Sequence, residues 1–217
     1  MSSLKLKHSS GNGTVINAPA ANPSADITLK VPSTTGSVGQ VLKVASANHS
    51  STNAELEWAA DSGGLFSSYA QVSHKENGGT NGGDLTNGAW RTRTLNTEDF
   101  DADGITSLSS NQFTLQAGTY YIEAFTTQYR TDLTSTRIYN VTDSSVVSEG
   151  LGVHSSSGQN LQAMNYVSGT VTISGAKAFE IQSRCQTSKT SNGAGISDSG
   201  FSNTKETYVI CKIYKEA

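Results

Sequence analysis

Thr207-Tyr-Val-Ile-Cys-Lys-Ile-Tyr214 and, upstream of it, Ala178-Phe-Glu-Ile-Gln-Ser-Arg-Cys185 share one pattern. Every second residue is apolar or small: Val209, Cys211 and Ile213 in the first, and Phe179, Ile181, Ser183 and Cys185 in the second. Successive side chains of an extended strand point to opposite faces, so a period of two marks a strand with one face on a core. Alternation recurs at 66–72, 90–95, 112–115, 119–126, 136–141, 162–167 and 169–173. Turn residues separate these runs and no helical period intervenes, which predicts a β sandwich or barrel. The Gly-rich connections 77–83 and 188–200 are expected on the surface.

Residues 1–60 have a different texture and hold all three prolines, Pro19, Pro23 and Pro32. Leu4 and Leu6 alternate with lysines, and so do Ile27, Leu29 and Val31 with Thr28 and Lys30. Gly11-Asn12-Gly13 marks a tight turn, and Gly36 and Gly39 bracket another before Gln40-Val-Leu-Lys-Val44. These short strands read as half-buried, with an apolar stripe that needs partners from other chains. Asp61-Ser-Gly-Gly64 is the candidate boundary.

Of 217 residues, 35% are hydrophobic and 15% charged, and Ser, Thr, Asn and 21 Gly fill the rest, a mix that favours strands and turns over helices. The length suits one ordinary domain plus an extension. A net charge of −3 argues against a nucleic-acid binder, which needs a basic stripe. No apolar run nears the roughly 20 residues of a membrane-spanning helix, so no membrane insertion is expected. Residues 1–7 lack the apolar centre of a secretory signal, and folding in a cytoplasm is the expectation.

The segments Asp26-Ile-Thr-Leu-Lys-Val-Pro32, Gly36-Ser-Val-Gly-Gln-Val-Leu-Lys-Val44 and Glu55-Leu-Glu-Trp-Ala59 resemble the extended segments of tailed-phage fibre proteins, especially those of marine cyanophages. Trp90-Arg-Thr-Arg-Thr-Leu-Asn96, residues 105–115, Ala117-Gly-Thr-Tyr-Tyr-Ile-Glu-Ala124, Arg137-Ile-Tyr-Asn140, Gly169-Thr-Val-Thr-Ile173 and residues 208–214 are similar to the jelly-roll heads of phage fibres with a C1q/TNF-like architecture. The resemblance implies an all-β homotrimer: an extended N-terminal β arm at 1–60, a linker at 61–64 and an antiparallel jelly-roll sandwich at 65–217. It also implies that residues 1–60 attach to a capsid or tail protein while the head projects outward, with host surface polysaccharide as a candidate partner. The expected function is that of a non-enzymatic virion protein, a short tail fibre, spike or capsid decoration assembled in a host cytoplasm. The alternative is a free C1q-like trimeric binding module, a lectin or ligand attached to no particle.

Few residues suggest chemistry. Asp99, Asp101 and Asp103, followed by Gly104, match the start of a calcium loop, but its twelfth position is Ser110 where a bidentate Glu belongs. A solvated acidic turn is therefore the preferred reading, with no metal and no cofactor. His8, His49, His74 and His154 show no metal-ligand spacing. Cys185 and Cys211 read as inward neighbours on adjacent strands, buried as free thiols in preference to a disulfide. No nucleophile elbow or phosphate loop is present, which predicts a non-enzyme. Tyr129, Tyr139 and Tyr166 are the candidate exposed aromatics for stacking on sugars, whereas Trp58 reads as an anchor between arm and head and Trp90 as one at a strand start.

Overall fold

The computed structural model describes residues 3–7, 13–17, 28–45, 50, 53–60, 64–198 and 205–217. The chain divides into two compact units, 1–63 and 64–217. Residues 11–12, 61–63, Pro19, Pro23, His8 and His49 lie outside the described residues, with the turn, linker and histidine readings that fall on them.

In the first unit β1 (Ser3–Lys7) and β2 (Gly13–Asn17) pair antiparallel. A separate sheet has β5 (Asn53–Ala60) at its centre, parallel to β3 (Thr28–Lys30) and antiparallel to β4 (Gln40–Val44). Gly39, at φ 82°, makes the turn into β4, and Gln40 N donates to Ser37 O at 3.1 Å. The Trp58 indole donates to Thr34 O at 2.8 Å and covers Gly36, where a Cβ would come within 2.6 Å of the ring. Trp58 is thus an anchor inside its own unit. Strands β3 and β4 are exposed along their whole length rather than half-buried. Leu29, Val41, Leu42 and Val44 stay 58%, 41%, 45% and 47% exposed.

The second unit contains β6 (Phe66–Asn77), β7 (Arg91–Thr92), β8 (Thr97–Asp101), β9 (Thr106–Ser109), β10 (Gln112–Leu115) and β11 (Gly118–Tyr129). It continues with β12 (Asp132–Asn140), β13 (Ser145–Glu149), β14 (Val153–Ser155), β15 (Gln162–Ile173), β16 (Lys177–Cys185) and β17 (Lys205–Glu216). One sheet runs β15-β11-β17-β6-β8 and the other β13-β12-β16-β10-β9, with β14 also on β12 and β7 on β16. All these pairings are antiparallel. The late strands β16 and β17 each insert between two earlier ones, the strand order of a jelly roll. The described residues contain no helix.

The sheets share one core. Tyr120, Ile122 and Ala124 of β11 and Val209, Cys211 and Ile213 of β17 meet Ile138, Phe179 and Ile181 from the facing sheet, and Phe113 stacks on Phe179 with ring centres 5.7 Å apart. Farther along the same strands the inward residues become hydroxylic. Thr126 bonds to Thr136 at 2.7 Å, and Thr136 bonds to Ser183 at 3.0 Å, so these buried polar groups satisfy one another. Arg93 closes this end at 2% exposure, donating to Thr127 O at 2.9 Å and Ala194 O at 2.7 Å. Burial lowers its guanidinium pKa to about 10.

Several boundaries differ from expectation. The runs 162–167 and 169–173 form the single strand β15, because Gly169 marks a close approach rather than a turn: its Cβ would come within 2.7 Å of Ser148. Of 90–95 only Arg91–Thr92 is strand, since Arg93 turns inward to its carbonyl partners. The Gly-rich loops are not simply superficial. Leu85 and Lys189 exchange backbone bonds of 3.0 and 2.9 Å, Gly82 N donates to Gly195 O at 2.9 Å, and Leu85, Gly82 and Ala194 are buried. Gly195 has φ 139°, and a Cβ there would overlap the Tyr208 ring and Thr127 Oγ1. Gly195→Ala should therefore cost about 3 kcal/mol of stability, read as a lower urea midpoint at unchanged slope.

Candidate functional site

Strand β11 carries large aromatic rings on both faces. Tyr120, Ile122 and Ala124 enter the core, while Tyr121 and Phe125 flank Glu123 on the opposite side of the sheet. A strand buried on one face only should alternate apolar with polar. Its neighbours extend the outer pattern, with Tyr214 on β17, Tyr166 on β15, Phe66 and Tyr69 on β6, and Phe100 on β8.

These seven rings are contiguous. Phe100 stacks on Tyr69 at 5.7 Å, Tyr69 meets Tyr214 at 5.1 Å, and Tyr214 meets Phe66 at 5.1 Å and Tyr121 at 6.1 Å. The Tyr121 hydroxyl lies 3.2 Å from that of Tyr166, whose ring packs on Phe125 at 5.0 Å. At the centre Glu123 accepts from Tyr166 at 3.3 Å and Tyr214 at 3.4 Å and pairs with Lys212 at 3.4 Å. Burial, reinforced by Glu123, raises the Tyr214 pKa, and burial with Tyr214 raises that of Tyr69. Phe100 and Met164 stay 49% and 60% exposed. A face dominated by tyrosine and phenylalanine, with its charges already paired, has the composition of a protein–protein contact.

The sequence-derived candidates scatter. Tyr166 belongs to this face. Tyr139 is on β12 of the other sheet, beneath the Arg137 guanidinium at 4.6 Å. Tyr129 is buried rather than exposed, because loop backbone covers the end of β11: its N–H donates to Gly193 O and its hydroxyl to Asn160 Oδ1 at 2.8 Å. The acidic run does not converge. Asp99 pairs with Lys75 and accepts from Gln71 at 2.9 Å, and although burial raises its pKa these bonds outweigh it and hold the carboxyl low. Asp101 accepts from the backbones of Ile105 and Thr106 at 2.9 and 2.8 Å, and Asp103 is exposed. Among the described residues no group of three His, Cys, Asp or Glu could hold a metal ion. Cys185 and Cys211 are buried free thiols, but they sit on β16 and β17 in different sheets rather than on adjacent strands. Trp90 precedes the two-residue β7 and stacks with Arg137 and Arg184. Tyr69, Glu123 and Tyr214 were not singled out in the sequence; the signal was the pair of rings, Tyr121 and Phe125, at outward positions of β11.

No protein-family model and no curated protein matches the sequence. Among solved structures the chain is similar to the globular domain of zebrafish complement 1qA, at 14% identity and TM-score 0.43, over 68% of this chain and 96% of that one. It is also similar to murine APRIL at pH 5.0, at 7% identity and TM-score 0.42, over 68% and 98% of the two chains.

His74 sits apart from this face, buried against Tyr208 with ring centres 5.4 Å apart and Nε2 3.1 Å from Glu76. Burial lowers its pKa, Glu76 opposes that, and Arg93 adds to it. The unfolded chain therefore binds the His74 proton more readily, so this contribution to stability is full above about pH 6.5 and declines as pH falls through the folded pKa. The urea midpoint should drop between pH 7 and pH 5, and His74→Gln should reduce that drop.

Proposed function

We propose that this protein is a non-enzymatic structural subunit that assembles as a homotrimer through the aromatic face of the five-stranded sheet and forms a short fibre or spike on a virus particle. The observation that carries the assembly reading is the run of rings from Phe100 to Phe125, half-buried within one chain and open on its outer side. Around a three-fold axis each chain packs one part of this face against a different surface of the next, so the same pair of surfaces is covered in every copy. The exposed β3 and β4 of the first unit add a second surface in need of cover. The virion setting, with residues 1–60 as the anchor and the second unit facing outward, is supported by the likeness of segments 26–32, 36–44 and 55–59 to phage-fibre arms.

Equilibrium sedimentation of the full chain should give three times the 22.8 kDa chain mass, and Tyr121→Lys or Phe125→Asp should give a folded monomer. A monomeric parent chain would refute the assembly reading. Deleting residues 1–60 should leave a trimer that no longer joins particles; retained incorporation would remove the arm from the proposal.

A further inference from the structure

On the outer side of the seven-stranded sheet, β12, β16 and β7 lie next to one another, with Ser135 opposite Arg184, Arg137 opposite Gln182, and Gln182 opposite Thr92. Trp90 stands just before β7. The guanidinium carbons of Arg137 and Arg184 lie 4.3 and 4.7 Å from the centre of its ring, and that of Arg137 is also 4.6 Å from the centre of Tyr139. Stacking of this kind fixes a guanidinium plane while leaving its N–H edge free to bind. Gln182 takes only the Nε of Arg137, at 2.7 Å.

Carboxylates do not neutralise this pair of cations. Glu180, on the same face, is 7% exposed and already accepts from Thr92 at 2.9 Å and from Gln182. Glu149 faces Arg137 in register without an ion pair, and among the described residues neither arginine has a carboxylate within salt-bridge distance. Two arginines, Arg184 exposed and Arg137 half-buried, are thus stacked on the Trp90 ring and have no carboxylate partner among the described residues, on a chain whose net charge is −3. Beside Arg184 opens a cleft of about 440 Å³ whose lining is mainly apolar, with Leu133, Gly152 and Cys185 beside the polar Ser135 and Gln186.

We infer that this face binds a polysaccharide bearing carboxylate or sulfate groups, the two guanidinium edges taking the anions and the cleft an adjoining sugar residue. Guanidinium edges match planar carboxylates and sulfate oxygens in a two-pronged way. A neutral glycan would need the open face of an aromatic ring, and the Trp90 ring is occupied by arginine. A nucleic acid would need a longer basic stripe than two side chains on an acidic protein. The site is on the sheet that does not carry the aromatic face, so binding and self-association can fail independently.

The full chain should be passed over immobilised polygalacturonate, dextran sulfate, uncharged dextran and single-stranded DNA. It should bind the two acidic polysaccharides, more weakly as salt rises, and leave dextran unbound. Arg184→Gln and Arg137→Gln should each weaken binding about tenfold. Arg184→Lys, which keeps the charge but loses the fork, should not restore it. Thermal melts establish that each variant is folded; Arg184 is exposed, so its variants decide the matter if Arg137→Gln unfolds. No binding to either acidic polymer, equal binding to dextran, equal or tighter binding to DNA, or full affinity in either Arg184 variant would overturn the inference. Sedimentation of the same samples reports assembly separately.

Discussion

The pairing of β17 between β6 and β11 joins parts of the second unit that are far apart in sequence. Without it the five-stranded sheet separates into β15–β11 and β6–β8, and the core loses Val209, Cys211 and Ile213 at its centre. On the other side the same strand supplies Tyr214 and Lys212, the partners of Glu123. Core and aromatic face are therefore completed by one event. Pairing over such separations incurs its loop-closure entropy before any contact rewards it, so a folding barrier dominated by the docking of this strand is the physical expectation.

The interior is graded along its length. On β11, β12 and β16 the inward residues pass from Tyr120–Ala124, Ile138 and Phe179–Ile181 to Thr126, Thr136 and Ser183 at matching levels. The apolar end gains from removal of surface from water, whereas the hydroxylic end contributes geometry, since each hydroxyl accepts only a narrow range of partner positions. Arg93 extends that logic: a charge that burial penalises is held by loop and strand carbonyls, and the loop carbonyl, Ala194 O, ties the segment around Gly195 to the sandwich.

How much of this was legible in the sequence depended on parity and partners. Alternation located β10, β16 and β17 because each is central and has one strongly apolar face. The strands β8, β13 and β14 are short and carry mainly polar side chains, so no period stood out. Parity put Cys185 and Cys211 on inward faces but could not say which sheet either strand joins, hence the mistaken adjacency. Tyr166 was found because it lies mid-strand. Tyr129 was misjudged because its cover comes from loop residues such as Gly193 and Asn160, which no local pattern predicts. The aromatic face was visible only as an excess, in that β11 places Tyr121 and Phe125 at outward positions where a solvent-facing strand would be mainly polar.

Cys185 and Cys211, facing inward from separate sheets, have a consequence outside the fold itself. With both sulfurs free, the described structure holds no covalent crosslink that reducing surroundings would break. Burial raises both thiol pKa values, so even transient thiolate is scarce at either sulfur. The hold of one sheet on the other is then non-covalent throughout, and any lasting resistance to unfolding has to be kinetic.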